Sequence, residues 1–277
     1  MTRPRTAFVL SGGASLGALQ TGMLRALYER DITADLLVGT SSGALNAAFI
    51  ASRPQAVQTA RALRQVSCDL QRDDIFPVSM RALVGGLCGK RDHLVPDHAL
   101  RRLVRRYVEY DDLADAATPL YVVAYDVIAA REVLLSEGSA VDAITASAAI
   151  PGVFPPVVVG DQRLIDGGVI NNKPISHAVA LGAERVYVLP TQTAPRRIVR
   201  APVGAIDAAI HALTLLVDAR LAADLVRYAG EVELIVLRAP NSHHVQPTDF
   251  EHAGRLTAEA LAACRELLAE PALARAA

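Results

Sequence analysis

The stretch from Leu36 to Ala47 constrains the fold of this chain more than any other. Leu36-Leu37-Val38 is a short apolar run typical of a buried parallel strand, and Ser42 to Ile50 has the alanine and leucine content of a helix. Between them, Gly39-Thr40-Ser41-Ser42-Gly43 fits G-x-S-x-G, a sharp strand-to-helix turn that strains the backbone of its serine. Its glycines let neighbouring segments pass close by. The pattern predicts an exposed Ser41 hydroxyl at the positive end of a helix.

A glycine-rich turn precedes this one. Thr6 to Leu10 is predicted to be a buried strand, and Ser11-Gly12-Gly13-Ala14-Ser15-Leu16-Gly17-Ala18 links it to a helix that runs to about Arg30. Glycines at such a junction let successive backbone N–H groups converge on an anion. A Walker A loop is excluded because Ala18 and Leu19 follow Gly17 where lysine and a hydroxyl residue are required, and G-x-G-x-x-G is not met. A glycine turn without a ligand is the alternative.

The two turns indicate more together than either does alone. In a parallel sheet both would lie at the carboxyl edge, where ligand sites form. One turn would then supply backbone hydrogen-bond donors and the other a nucleophile, and acyl transfer needs both.

The rest of the chain alternates predicted strands with predicted helices. Further strands are expected at 120–125, 132–135, 157–159, 163–165, 186–189 and 232–237, and further helices at 53–66, 97–107, 139–149, 174–181, 205–229 and 249–270. This alternation predicts an α/β fold with a mostly parallel central sheet flanked by helices on both faces. A chain of 277 residues with 52% apolar content can bury a large core, so we expect one domain over its whole length.

Composition narrows the classes of function. The formal net charge is −1 with both signs interspersed, which excludes the electrostatic footprint of a nucleic-acid-binding protein. The three cysteines have no metal-ligand spacing, and their odd number favours a reducing compartment. The apolar run from Ala7 to Leu10 is too short for a signal-peptide core, and no stretch approaches the ~20 apolar residues of a membrane span. We therefore expect a cytoplasmic protein.

The segment from Cys68 to Pro96 is irregular, with apolar residues set among charges. Long irregular segments are often lids or binding loops. We interpret this one as an apolar flap beside the site, and a packed helical excursion is an equal alternative.

A serine hydroxyl is a poor nucleophile until a base takes its proton. None of the seven histidines has a flanking motif that marks a catalytic residue; they are His93, His98, His177, His211, His243, His244 and His252. Asp166 differs because it ends a predicted strand and is followed by Gly167 and Gly168, so its carboxylate projects from a tight turn that another backbone can approach. A turn-forming Asp-Gly in a hairpin is the alternative.

These motifs together resemble the patatin-like phospholipases, lipid acyl hydrolases that work with a Ser-Asp dyad and no catalytic histidine. Ser11-Gly12-Gly13 through Gly17-Ala18 is similar to the glycine-rich oxyanion loop of the family, and the Ser41 turn is similar to its nucleophile turn. Residues 146–156 are similar to the family segment Ala-Ser-x-Ala-x-Pro-x-x-Phe-x-Pro. Asp166-Gly167-Gly168, with Asn172 and Pro174 after it, is similar to the D-G-[GA] motif. The resemblance spans roughly residues 6–190 and implies a patatin-like fold.

The resemblance also implies roles. Ser41 would attack an ester carbonyl, and Asp166 would accept its proton and later activate water against the acyl-enzyme. The oxyanion hole would consist of backbone N–H groups of Gly12, Gly13 and Ala14. The residues that support the motifs would be Gly17, Gly39, Gly43, Gly167 and Gly168. No metal or cofactor is needed, and we expect a dry site in which the pKa of Asp166 is raised.

The chain departs from the family pattern at two positions of the oxyanion loop. Many members have a third glycine where this chain has Ala14, and a basic residue where it has Leu16. Ala14 is expected to permit the turn if its φ is negative. The missing positive charge is expected to weaken stabilisation of the anion.

The expected partner is a lipid or another acyl ester, with peripheral contact at a membrane. An esterase or thioesterase for a soluble acyl substrate is one alternative, and a non-catalytic module that binds an anion is another. A membrane-surface scaffold that presents residues 75–87 is a third. The sequence does not give the oligomeric state.

Overall fold

The computed structural model describes residues 3–77, 93–192, 219–240 and 245–269. The strands in these ranges are β1 (Thr6–Leu10), β2 (Leu36–Thr40), β3 (Leu120–Asp126), β4 (Arg131–Leu135), β5 (Val157–Val159), β6 (Gln162–Asp166), β7 (Arg185–Leu189) and β8 (Glu233–Val236). The α-helices are α1 (Ala18–Tyr28), α2 (Ser42–Ala51), α3 (Val57–Asp69), α4 (Arg72–Ile75), α5 (His98–Tyr107), α6 (Ala140–Ser147), α7 (Ile175–Ala180) and α8 (Ala253–Ala269), and residues 219–228 are also helical. Three 3₁₀ turns lie at Ala14–Gly17, Leu113–Asp115 and Gly167–Val169.

The central sheet is mostly parallel, as predicted. β1 lies between β2 and β7, and β3 and β8 extend the sheet beyond them, each parallel to its neighbour. Every residue of β1 and β2 is buried, which is the reason that these strands have continuous rather than alternating apolar sequences. The carboxyl ends of β1 and β2 therefore lie at one edge of the sheet, so the two glycine-containing turns meet there.

Helices cover both faces of the sheet, which confirms the predicted architecture. Phe8 and Leu10 belong to a large core with α1, α2 and α8, whereas Ala7 and Val9 belong to a second core with α7 and the helical segment 219–228. Successive side chains of a strand point to opposite faces, so β1 divides its residues between the two cores.

Two strands share one edge of β3. β2 pairs with residues 120–123 of β3, and β4 pairs with residues 122–126 along the opposite edge. β6 is antiparallel to β3 and pairs with residues 124–126, where β4 already occupies the opposite edge. β6 must therefore lie on the same edge as β2, so the two strands approach each other end to end.

Several predicted boundaries differ from the structure. The predicted first helix begins with a 3₁₀ turn before α1. The helix predicted from Arg53 begins only at Val57, since the amide of Gln55 pairs with the backbone of Ala34. The helix predicted from Asp249 begins at Ala253, because the Asp249 carboxylate accepts from a nearby backbone N–H in a preceding turn.

Some predictions fall on residues that the structure does not describe. Most of the helix predicted at 205–229 lies outside the described residues, although 219–228 is helical. Residues 78–92 of the predicted flap also lie outside them. The assignment of the whole chain to one domain stays a prediction. Within the described ranges, no helix has the length and apolar character needed to cross a membrane.

Candidate active site

The turn between β2 and α2 holds Ser41 in a positive-φ backbone conformation, with φ 55° and ψ −125°. A non-glycine residue at positive φ costs roughly 1–2 kcal/mol, so the surrounding structure must hold it there. The N–H of Ser41 donates to Ser147 Oγ at 2.9 Å, and its carbonyl accepts from Ala44 N at 2.9 Å. These contacts fix the strained turn that G-x-S-x-G predicts. Ser41 was expected to be exposed, and this was wrong: the residue is only 8% exposed, because it faces a pocket.

The glycines of this turn are required by close approach. A Cβ on Gly39 would lie 2.6 Å from the Cα of Ala44, and a Cβ on Gly43 would clash with the backbone carbonyl of Leu10. Leu10 ends β1, so α2 packs against the neighbouring strand with no space for a side chain at Gly43. The predicted close passage of neighbouring segments is confirmed at both positions.

Asp166 meets Ser41 because β2 and β6 end at the same place. Thr40, the last residue of β2, pairs with Val123, and Asp166, the last residue of β6, pairs with the next residue, Ala124. Ser41 follows Thr40 directly, and its Oγ donates to Asp166 Oδ2 at 2.7 Å. The predicted proximity of the hydroxyl and the carboxylate is thus present in the structure.

Asp166 lies in a dry environment. The residue is 6% exposed, and burial raises the pKa of its carboxyl group from 3.8 to about 6. Hydrogen bonds to the ionised form, from Gly168 N to Oδ1 at 2.7 Å and from Ser41, act in the opposite direction but do not cancel the effect of burial. A carboxylate with this pKa binds a proton more readily than an ordinary aspartate at neutral pH.

The two glycines after Asp166 have different surroundings. A Cβ on Gly167 would clash with the carbonyl of Val123 on β3. A Cβ on Gly168 would lie 3.0 Å from Asp166 Oδ1 and 3.1 Å from Asn172 Oδ1. The D-G-G sequence therefore lets the chain leave the sheet while the backbone N–H of Gly168 turns back and donates to the Asp166 carboxylate.

The glycine-rich loop differs from expectation at Gly12. Its N–H donates to Asn172 Oδ1 at 3.0 Å, and its carbonyl accepts from Thr191 Oγ1 at 2.6 Å. The N–H groups of Gly13 and Ala14 have no hydrogen-bond partner among the described residues. Both lie at the start of the 3₁₀ turn Ala14–Gly17, where N–H groups have no partner within the helix. Of the three predicted donors, two are thus unpaired within the described ranges, and one of them, Ala14, lines the pocket beside Ser41.

The two departures from the family pattern have structural counterparts. Ala14 has a φ of 51°, so the condition of a negative φ is not met, and the residue makes the turn in a conformation that glycine favours. Leu16 is 6% exposed and belongs to the large core, so its position faces apolar residues.

Gly17, the last glycine of the loop, contacts α2, where Asn46 Nδ2 donates to the carbonyl of Gly17 at 3.0 Å.

Two of the histidines that the structure describes lie near carboxylates other than that of Asp166. His177 Nε2 lies 2.6 Å from Glu132 Oε1, and His252 Nε2 lies 3.9 Å from Asp249 Oδ2. His211, His243 and His244 lie outside the described residues. Within the described ranges, no group of three or more His, Cys, Asp or Glu side chains could hold a metal ion.

Comparison with known proteins identifies the family. The model of the patatin-like phospholipase family matches residues 8–179. This chain belongs to that family.

Relatives of this patatin-like phospholipase occur in bacteria and eukaryotes. An uncharacterised NTE family protein of Mycobacterium tuberculosis is 27% identical over 285 residues, which cover 96% of this chain and 47% of the relative. The lysophospholipase NTE1 of Mycosarcoma maydis is 26% identical over 192 residues, 68% of this chain and 10% of that protein. Human patatin-like phospholipase domain-containing protein 6 is 28% identical over 191 residues, 68% of this chain and 13% of that protein. The chain thus spans about half the length of the mycobacterial relative and less of the others.

Among solved structures, VipD from Legionella pneumophila superposes with a TM-score of 0.46 at 14% identity. The match covers 95% of this chain and 68% of VipD.

The pocket of this patatin-like phospholipase opens beside Ser41 and is largely apolar. No charged side chain is present among its described lining residues, which are Ala14, Ser15, Gly17, Ala18, Ser41, Ser42, Leu45, Asn46, Ser67, Leu70, Ile75, Phe76, Leu100, Ile144, Ala148, Ile150, Phe154 and Phe250. Phe76 stacks on Phe154 at a centroid distance of 5.4 Å and contacts Phe250 at 6.4 Å. Ile75 and Phe76 belong to the predicted flap (68–96), and both lie in the pocket wall; whether the segment acts as a flap stays a prediction.

Three residues near the site were not singled out by the sequence analysis. Asn172 appeared only as part of the D-G-[GA] motif, although its spacing after Asp166 is a signal that could have been used. Thr191 follows β7 and has no motif of its own. Phe250 belongs to a polar segment about 200 residues from Ser41, and only the folded chain brings it to the pocket.

Proposed function

We propose that this chain is a serine acylhydrolase that cleaves acyl ester bonds of phospholipids or related lipids through an acyl-enzyme on Ser41. The observation that carries the proposal is the 2.7 Å hydrogen bond from Ser41 Oγ to Asp166 Oδ2, made in a buried site at a strained turn. A serine held in this way beside a base is the arrangement that nucleophilic catalysis requires.

The first step forms the acyl-enzyme. Ser41 Oγ attacks the ester carbonyl carbon while its proton passes to Asp166 Oδ2. The carbonyl oxygen becomes an oxyanion and accepts hydrogen bonds from the backbone N–H groups of Gly13 and Ala14; a donor of this kind is typically worth about 3 to 4 kcal/mol of the barrier. When the tetrahedral intermediate collapses, the bond to the leaving alcohol breaks, and the alcohol takes the proton from Asp166.

The second step restores the enzyme. Asp166 accepts a proton from a water molecule, and the water oxygen attacks the acyl carbon of the ester on Ser41. The second tetrahedral intermediate collapses with cleavage of the bond to Oγ, and Asp166 returns its proton to Oγ. The products are a carboxylic acid and the free serine, so the single carboxylate serves as base and acid in both steps.

The pocket supports a lipid as the substrate. Its described lining has no charged side chain, and apolar contacts contribute about 0.8 kcal/mol for each methylene that leaves water. We therefore place the acyl chain of the substrate in this pocket, with its carbonyl next to Ser41. The name of the lysophospholipase from Mycosarcoma maydis is consistent with an ester that carries one such chain. Contact with a membrane surface, where these lipids reside, is part of the proposal.

A fluorophosphonate probe tests the proposal directly, since it reacts covalently only with an activated serine. We expect mass spectrometry to find one adduct, on Ser41, in the wild-type protein. Asp166→Asn should slow labelling by roughly 100-fold or more, because general-base catalysis contributes about 10²–10⁴-fold. Ser52→Ala is the matched control: Ser52 lies at the carboxyl end of α2, and its hydroxyl donates to Phe49 O.

The same variants are then assayed on lysophospholipid below and above its micelle-forming concentration. A Ser41-dependent rate that rises with micelles supports a lipid substrate. Activity confined to short soluble esters points instead to an esterase of soluble substrates. Absence of labelling at Ser41, or equal labelling of wild type and Asp166→Asn, overturns the proposed chemistry.

A further inference from the structure

The side chain of Asn172 makes a two-point contact with the backbone of Gly12. Its Oδ1 accepts from Gly12 N at 3.0 Å, and its Nδ2 donates to Gly12 O at 3.3 Å. The amide therefore pairs with both polar groups of one residue, as a neighbouring strand would. An asparagine can do this because it carries a donor and an acceptor, whereas an ionised aspartate carries acceptors only.

Thr191 holds the same residue from another direction. Its Oγ1 donates to Gly12 O at 2.6 Å, and its N–H donates to Ser11 Oγ at 2.8 Å. Thr191 is 3% exposed, so these bonds form away from water. The loop is thus held by residues that follow two different strands, β6 and β7.

The packing around these contacts leaves no space for a side chain at Gly12 or at Gly13. A Cβ on Gly12 would clash with Asn172 Oδ1, and a Cβ on Gly13 would clash with the side chain of Thr191. The glycines of the loop are therefore matched in shape to the two side chains that hold them.

We propose that Asn172 and Thr191 are positioning residues, which hold the Gly12 peptide so that the N–H groups of Gly13 and Ala14 serve as the oxyanion donors. Gly12 itself is then excluded from this role, because its N–H already donates to Asn172. The inference rests on the proposed function, since it concerns the oxyanion of that reaction.

This arrangement links the base to the oxyanion donors. Asp166 and Asn172 lie six residues apart in one loop, which includes the 3₁₀ turn Gly167–Val169. One end of the loop receives the proton of Ser41, and the other end holds the glycine-rich turn. A change in the loop would therefore alter the base and the oxyanion donors together.

The test compares Asn172→Ala with a variant that loses the same two bonds elsewhere. The amide of Gln55 accepts from Ala34 N at 2.7 Å and donates to Ala34 O at 2.8 Å, a contact of the same kind away from the pocket. Gln55→Ala is therefore the matched control. We expect Asn172→Ala to lower kcat by roughly 100-fold, the effect of losing one oxyanion donor, with little change in KM. Gln55→Ala should leave both constants unchanged.

A second substrate gives a readout that a general loss of stability would not move. In a thionoester the carbonyl oxygen is replaced by sulfur, which accepts weaker hydrogen bonds, so the preference for the ester over the thionoester reports the oxyanion donors. This preference should fall in Asn172→Ala and Thr191→Val and persist in Gln55→Ala. Thr191→Ser keeps the hydroxyl and should restore most of it.

Hydrogen exchange of the segment 11–17 tests the contact itself, independently of turnover. Faster exchange there in Asn172→Ala, with the rest of the chain unchanged, supports the inference. Wild-type kcat and ester preference in Asn172→Ala, or equal losses in Gln55→Ala, would overturn it. If the wild-type chain has no Ser41-dependent turnover, the proposed function fails. Hydrogen exchange then decides whether Asn172 and Thr191 order the loop, and unchanged exchange of the segment 11–17 in Asn172→Ala rejects the inference.

Discussion

Replacing Asp166 by asparagine should stabilise the folded protein at neutral pH while it abolishes activity. Burial holds the pKa of this carboxyl group at about 6, compared with its ordinary value of 3.8. Each difference of one in pKa between folded and unfolded states corresponds to about 1.4 kcal/mol, so keeping the group ionised in the folded protein costs about 3 kcal/mol. Asparagine is neutral and similar in shape, and its Oδ1 can accept from Gly168 N. We therefore expect a gain of about 2 to 3 kcal/mol in the free energy of unfolding.

The gain in stability of Asp166→Asn over the wild type should depend on pH, and it should increase as the pH rises. Below about pH 4 the carboxyl group of the wild type is protonated in both states, so its ionisation costs nothing. As the pH rises toward 6, the unfolded chain loses the proton while the folded protein still binds it, and the folded state becomes progressively less stable relative to the unfolded one. Above about pH 6 both states are ionised and the full cost is present. Asp166→Asn should thus exceed the wild type in stability at neutral pH, and this advantage should disappear near pH 4.

Urea unfolding of both proteins at about pH 7.5 and about pH 4 measures these differences. Asp126→Asn is the control, because Asp126 is also a buried aspartate, at the end of β3. Burial by itself would raise its pKa, but backbone N–H groups, including those of Ile128 and Arg163, stabilise its ionised form and lower its pKa overall. Asp126→Asn should therefore destabilise the protein at neutral pH. If Asp166→Asn proved less stable than the wild type at both pH values, the reasoning from burial would be refuted.

Three further predictions follow from the site. The acid limb of kcat/KM should have its midpoint near pH 6, because Asp166 must be ionised to accept a proton; a pH profile with no inflection between pH 5 and 7 would contradict this. Ala14→Gly should raise the free energy of unfolding by about 1 kcal/mol in urea titrations, because glycine tolerates a φ of 51°. An unchanged or lower free energy of unfolding would show that the backbone of Ala14 is not strained. Phe250→Ala should shift the optimum in a nitrophenyl ester series toward longer acyl chains, by about fourfold in kcat/KM for each methylene that gains apolar contact; Phe49→Ala, a residue that is not among the described lining residues of the pocket, should not.

Local sequence was sufficient to predict the parts of the site that depend on backbone conformation. Gly39, Gly43 and Gly167 mark positions where a side chain would strike a neighbouring backbone, and such requirements are readable from residue type alone. The parallel core was predictable for the same reason, since β1 and β2 are apolar along their whole length. The raised pKa of Asp166 followed from the expectation of a dry site.

What depends on long-range register could not be predicted from local patterns, and the pairing of Asp166 with Ser41 was implied only by the resemblance to the family. No local pattern indicates that β6 occupies the free half of the β3 edge, and this placement alone brings Asp166 to Ser41. The engagement of Gly12 by Asn172 and Thr191 depends on the same assembly. The positive φ of Ala14 could not be read from its residue type, which favours the opposite sign; the packing of the loop selects the rarer conformation.

In the proposed mechanism, in which Asp166 is the base, the junction of β2 and β6 explains how a carboxylate can serve where many hydrolases use histidine. Two strands that end against one edge of β3 place the hydroxyl and the carboxylate in direct contact, so no third side chain is needed to orient the base. The same junction buries the carboxylate, and burial raises its pKa to about 6, which brings its proton affinity close to that of an imidazole. The geometry that delivers the base therefore also makes it basic enough to act. A site of this kind loses stability in proportion to the basicity that it gains, so the stability of Asp166→Asn and the acid limb of the pH profile should report the same pKa.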